Sequence, residues 1–292
     1  MKEQFNKGLL LTSLGSFWWG FIGVLYFQYV SFIGHIELIV HRCLWTAVML
    51  FFTTTFLLKW KIFLEVISNK KKLVFLFLSG FLIFTNWAVW IYAVATERII
   101  DASFGYFIMP IISVLLGYIF FKEKLNKNRI ISILLVTIAI LILIFFNLKS
   151  LPWVGLIVAL SWAFYNLIRK KINVDTDIGL LIESLYILPF AIITFYFIVE
   201  KGMNDFGITN PGLSLFLILA GPMTVIPLFL YVRGVELIGL GATGMIFYIT
   251  PSLQFILGFF YYNEEFSVVK FVSFIIIWSA VIIYLKDLYE TN

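Results

Sequence analysis

Charge is scarce in this chain. Only 13% of its 292 residues are Asp, Glu, Lys or Arg, roughly half the share found in soluble globular domains. So few charged groups cannot cover the surfaces of the two soluble domains that the length alone would allow, and composition therefore overrules length. Cysteine occurs once, as Cys43 inside an apolar run, which excludes an intramolecular disulfide. The two histidines, His35 and His41, crowd into one helix end. No metal cluster, no nucleophile with its base and no paired carboxylates can be assembled from such a set, so the sequence reads as neither an enzyme nor a cofactor binder. The basic excess, net +5, falls in short loops where membrane orientation accounts for it, and nucleic acid is not an implied partner. A cleavable signal peptide is not expected either, because the first apolar run is too long and lacks a small-residue cleavage site.

What is present is hydrophobicity: 62% of residues are apolar or aromatic and the mean hydropathy is +1.03. Apolar runs of about 20 residues, each able to cross a bilayer, recur near residues 8–29, 35–58, 73–95, 102–121, 130–147, 153–171, 178–199, 213–235, 242–262 and 269–286. Continuous runs of this length require helices rather than barrel strands. An all-α integral membrane protein of about ten transmembrane helices follows, with lipid as its surroundings. The N-terminus, the even-numbered loops and the C-terminus hold 16 Lys and Arg against 4 in the odd-numbered loops, which places both termini in the cytoplasm.

A repeat runs through the chain. Gly80, Pro110, Gly117 and Glu123 match Gly221, Pro251, Gly258 and Glu264 at one offset of 141 residues, and the same offset carries Arg42 onto Glu183. Residues 1–147 and 148–292 are thus expected to be two five-helix halves of one compact membrane domain. An odd number of spans in each half inserts them with opposite orientation, the inverted repeat on which alternating-access transporters are built.

Polar residues at depth are the candidates for function, since a charge there costs at least ~2.5–3.5 kcal/mol on insertion scales. Arg42 suits an anionic or polar substrate group and Glu183 a proton or cation, or else both hold helices together. Helical rise leaves the two on the order of 10 Å apart in depth, too far for a direct salt bridge. Glu37 and His41, four residues apart, share a helix face and form either a proton-responsive pair or a hydrogen-bonded pair at the interface. Pro110 and Pro251 remove backbone donors and free the carbonyls of Tyr106 and Phe247, marking their helices as cavity walls, while Pro189, Pro222 and Pro227 add further breaks. Asn86, Trp87, Trp90, Tyr92 and Tyr231 offer aromatic faces and hydrogen-bonding handles for a flat, partly apolar ligand, although in so aromatic a chain each can equally be packing. Gln254, a buried amide near a helix break, needs a partner.

The stretches His41-Arg42-Cys43-Leu44-Trp45, Asn86-Trp87 through Ala102 to Pro110, Leu151-Pro152-Trp153 to Arg169-Lys170, Glu183 with Pro189, and Gly221 through Pro227-Leu228 to Tyr248-Ile249-Thr250-Pro251 resemble the EamA-like, RarD-type group of the drug/metabolite transporter superfamily. The resemblance implies ten helices in two inverted repeats, a central cavity, and export or facilitated movement of small organic solutes across the cytoplasmic membrane. It names no substrate. Met109 departs from the pattern, where a polar Asn is expected before the proline. A secondary transporter working by alternating access, with substrate near Pro110 and Pro251 and proton coupling at Glu183, is the reading that results, and Glu183→Gln is expected to abolish coupling with the fold intact. The competing readings are a scaffold or a lipid scramblase. Oligomeric state is not legible.

Overall fold

The computed structural model describes residues 2–30, 32–95, 99–147, 153–260 and 267–291. Every regular element among them is helical. In chain order these are α1 (Lys2–Phe17) and α2 (Gly23–Tyr29), joined by a π-helical turn at Trp18–Ile22, then α3 (His35–Phe56), α4 (Trp60–Ile67), α5 (Lys70–Ala95), α6 (Ile99–Phe121), α7 (Lys127–Asn147), α8 (Trp153–Ile172), α9 (Thr176–Glu200), α10 (Pro211–Ile246), α11 (Ile249–Phe260) and α12 (Val268–Thr291). Seven helical runs are long and apolar enough to cross a membrane by length and composition, and the protein is a multi-pass integral membrane protein. One of the seven, residues 211–257, is kinked at Gly239, where two helices meet, and supplies two arms. With α6 and α8, which pack against each other, the described residues form ten long helices.

Helix boundaries follow local chemistry. Asn210 caps α10, its side chain accepting from the Leu213 N–H at 3.2 Å, with Pro211 in the first turn where no donor is needed. Gly239 has φ 90° and ψ 171°, a left-handed conformation that glycine reaches without a Cβ clash. This residue interrupts the i to i−4 ladder that the sequence reads as a loop between two spans. Between α3 and α5, where the sequence reads only a basic loop, the short helix α4 intervenes. Lys59 precedes it and bridges to Asp177 at 2.8 Å and Asp175 at 3.4 Å.

Lipid tails are as apolar as leucine, so helices in a membrane associate by close packing rather than by hydrophobic exclusion. Gly80 on α5 lies against the backbone of Glu183 on α9, and Gly221 on α10 against Trp45 on α3, where an added Cβ would meet the Trp45 carbonyl oxygen at 2.5 Å. The first half thus packs into the second at two places that correspond under the 141-residue offset. Large apolar side chains on the perimeter, such as Phe56 and Phe145, are exposed, as a lipid-facing surface requires.

Candidate functional site

The middle of the bundle is filled by rings drawn from both halves. The π-helical turn at Trp18–Ile22 inserts one extra residue per turn, a local widening that often accompanies functional positions, and Trp19 within it packs into the centre. Its ring is 5.1 Å from Trp162, 5.8 Å from Tyr231 and 6.1 Å from Phe247. Tyr231 and Phe247 meet edge to face at 5.5 Å, and the series continues through Tyr106 at 5.6 Å to Trp90 at 5.3 Å. Such contacts are worth about 0.5–1.5 kcal/mol each beyond area burial. Trp162, Tyr231 and Phe247 are buried, so the series closes the centre of the bundle.

Arg42 stands beside this series. Its Nε donates to Thr224 Oγ1 at 3.0 Å, and its Cζ lies 4.4 Å from the Trp87 ring and 5.4 Å from Phe27. Glu183 has separate company. Ser79 donates to one carboxylate oxygen at 2.6 Å, Tyr165 to the other at 3.2 Å, and Arg169 Nη1 lies 3.4 Å away. Arg42 and Glu183 therefore do not pair, as the depth argument requires. Trp87 stands between them: a void of about 10 Å³ is lined by Glu183, Thr46 and Trp87, room for a single water at most.

Arg169 was not legible as part of this site. The sequence counts it among cytoplasmic loop charges, whereas the structure buries it to 1% exposure against Glu183, with Nη2 donating to the Thr176 carbonyl at 3.0 Å. Its place within the apolar run over 153–171, immediately before Lys170 and Lys171, was the available signal. Arg129 is a second such correction. It is 5% exposed and joins α7 to α12 through Asp287 at 2.8 Å.

Two carboxylates hold the bundle near its ends. Glu37 accepts from the Asp205 N–H at 2.8 Å and the Phe206 N–H at 3.0 Å, tying α3 to the connection before α10. His41 Nε2 is 3.4 Å from Glu37, and its Nδ1 accepts from Trp45 Nε1 at 3.1 Å. Near the other end Glu123, which the sequence marks only through the repeat, accepts from Lys170 at 2.7 Å, from the Leu240 N–H at 2.9 Å and from the Gly241 N–H at 3.0 Å. The break at Gly239 creates a fresh helix N-terminus, and unpaired N–H groups there attract an anion. Glu123 from the first half supplies it. Its repeat counterpart, Glu264, lies outside the described residues.

The remaining candidates divide. Asn86 donates to the Val158 carbonyl at 2.9 Å and Ser161 Oγ at 3.2 Å, so its amide serves the α5–α8 contact. Tyr92 is 44% exposed and stands against Trp153 on the perimeter, away from the central rings. Pro110 lies inside an uninterrupted α6 with its carbonyl against Gly244. Pro251 is buried, and the carbonyl it frees on Phe247 accepts from the Thr250 N–H at 2.9 Å. Gln254 is half-buried on α11. Met109 is fully buried, its sulfur accepting from Ser113 at 3.2 Å. A larger apolar groove of about 370 Å³ lies between α11 and α12, lined by Phe255, Phe274 and Trp278, but it brings together no charged group.

Comparison with known proteins extends the picture. A profile of the EamA-like transporter family matches residues 6–145. The chain is 32% identical over 290 residues to protein RarD of Escherichia coli, covering 99% of this chain and 97% of that one. It is 33% identical over 282 residues to the uncharacterized transporter YojE of Bacillus subtilis, covering 96% and 93%. The chloramphenicol-sensitive protein RarD of Pseudomonas aeruginosa is 23% identical over 252 residues, covering 85% and 83%. A solved crystal structure with 13% sequence identity superposes with a TM-score of 0.72 over 96% of this chain and 98% of that one, a likeness of fold alone.

Proposed function

The chain belongs to the EamA-like, RarD-type transporters of the drug/metabolite transporter superfamily, and from that premise we propose that it moves a small organic solute across the cytoplasmic membrane by alternating access, with both termini in the cytoplasm. Residues 1–147 and 148–292 act as two inverted five-helix repeats that rock about a common seam. The observation that carries this reading is the meeting of a residue with its own repeat equivalent: Tyr248 on the second half donates to the carbonyl of Phe107 on the first at 2.8 Å, 141 positions away. Equivalent residues touch only beside the axis that relates them. The aromatic series spans this seam, so a ligand among Tyr106, Tyr231 and Phe247 would be gripped by both halves and released when they rotate.

Glu123 with Lys170 closes the end that the basic loops assign to the cytoplasm, and Glu37 with the 205–206 amides ties the opposite end. Opening one while the other holds is what alternating access requires. Glu183, the acid nearest the centre, is the group at which a proton gradient would couple, through its contacts with Arg169 and Tyr165. The test is uptake into proteoliposomes of a panel of amino acids, aromatic metabolites and amphenicol antibiotics, with and without an imposed pH gradient. Saturable flux establishes the transporter, and gradient dependence establishes coupling. Absence of flux across the panel by a well-folded preparation favours a scaffold or a lipid scramblase.

A further inference from the structure

Three arginines are buried among the described residues: Arg42, Arg129 and Arg169. Two are neutralised from within, Arg129 by Asp287 at 2.8 Å and Arg169 by Glu183 at 3.4 Å. Arg42, at 6% exposure, has no carboxylate within ion-pairing distance among the described residues and meets only the hydroxyl of Thr224 and two rings. A guanidinium at depth without a counter-charge is costly to bury, and ring faces offset only part of that cost.

The geometry leaves one edge of the fork open. Thr224 engages Nε, Trp87 and Phe27 lie against the guanidinium, and Nη1 and Nη2 make no hydrogen bond among the described residues. Two parallel N–H groups held in this way match a carboxylate in a bidentate pair. Tyr106, within electrostatic reach of Arg42, begins the ring series that leads to Phe247 and Tyr231. An anionic head on Arg42 would therefore carry its body into the aromatic centre. The acids on neighbouring elements are committed elsewhere, Glu183 to Arg169, Ser79 and Tyr165, and Glu37 to the amides of Asp205 and Phe206, so neither of these carboxylates is free to pair with an ammonium.

We propose that Arg42 anchors the carboxylate of a ring-bearing organic anion, and that the solute carried is a net anion rather than a zwitterion, a cation or a neutral molecule. This rests on the transport reading but is measured through binding. Four probes share one ring and differ in charge: 3-phenylpropionate, 3-phenylpropanamide, phenylalanine and 2-phenylethylamine. Their affinities for the purified full chain, read from the shift in unfolding temperature, are expected to favour 3-phenylpropionate by about tenfold or more, the scale of one charge-assisted pair. Arg42→Gln should erase that preference, and Arg42→Lys should keep its direction with weaker binding. If Arg42→Gln fails to fold, Thr224→Val, which releases Nε from its partner, should weaken the anion alone. Equal binding of anion and amide, no binding of the anion, or an unchanged preference in the variants overturns the proposal. Flux of phenylalanine without flux or binding of the anion would keep the transporter and discard the anion. Arg42-dependent anion binding with no flux of any probe would keep the anchor and discard the transport reading.

Discussion

The hydroxyl of Tyr248 donates to the carbonyl of Phe107 at 2.8 Å, and the separation of the two residues, 141 positions, is the offset that relates Gly80 to Gly221 and Pro110 to Pro251. The bond crosses the seam between the halves next to the paired helices α6 and α10. Tyr248→Phe removes the donor while conserving the ring. Its expected cost is about 0.5–1.5 kcal/mol, seen as a lower unfolding temperature in detergent, together with a changed transport rate if the seam moves during turnover. A full-rate, fully stable variant would mean that the seam is incidental.

Glu183→Gln has a different expected outcome once Arg169 is placed beside it. The amide can keep Ser79 and Tyr165 but leaves a fully buried guanidinium unpaired, a loss on the order of 3–5 kcal/mol. Low yield and early unfolding are expected from Glu183→Gln alone, and substantial recovery from Glu183→Gln combined with Arg169→Met. A double-mutant cycle on unfolding temperature measures the coupling, and the recovered double variant is the one in which loss of pH-gradient dependence can be read without a folding defect.

The Glu123 cap can be opened from either side. Glu123→Ala strands the amides of Leu240 and Gly241 and frees Lys170. In a Cys43→Ser background, a cysteine replacing Thr243, fully buried one turn beyond the cap, should react with a membrane-impermeant thiol reagent about tenfold faster when Glu123 is also replaced, as expected for a loss on the scale of 1.4 kcal/mol. Equal rates would show that the cap does not hold that end shut.

Close approach at Gly221 gives a steric test. Gly221→Leu pushes a side chain into the Trp45 backbone and should prevent stable assembly, whereas Gly34→Ala, with nothing within 4 Å of the new Cβ, should leave yield unchanged. Membrane-fraction yield and monodispersity on size exclusion separate the two.

Lys59 provides a pH signature outside the spanning helices. Burial disfavours its ammonium, but the hydrogen bond and charge of Asp177, with Asp175 behind it, outweigh that and hold its pKa above the usual lysine value. A raised folded-state pKa contributes stability below the unfolded-state value and loses it as pH rises through the folded-state value. Lys59→Met should therefore lower the unfolding temperature at neutral pH, and the difference from the parent should vanish only above the ordinary lysine range. A difference independent of pH would assign the effect to packing.

Helix number was legible because it rests on a signal repeated along the chain, apolar runs of bilayer length, and the close contacts at Gly80 and Gly221 because small residues recur there at one constant offset. Arg42 and Glu183 stood out for the same reason, as charges inside such runs. Arg169 did not, since a charge directly beside two lysines at a helix end looks like a loop charge until the partner helix is in place. Trp19 and Trp162 were hidden among many aromatic residues, and nothing in the sequence marks the π-helical turn that seats Trp19. Asn86 shows the converse. An intramembrane amide reads as a ligand handle, but its donors are used by the helix packed against it.

On the two-repeat reading proposed above, Arg42 and Glu183 occupy equivalent positions with opposite charge, and their different neighbours make this a division of labour. Two separate copies of a half-length chain would have to carry the same residue at both places, burying two cations or two acids with one set of partners. Joining the halves in one polypeptide lifts that restriction: one position can keep its cation open while the other locks an acid to Arg169. Co-expressed as separate pieces, residues 1–147 and 148–292 should accordingly assemble only with each other, and neither half with itself.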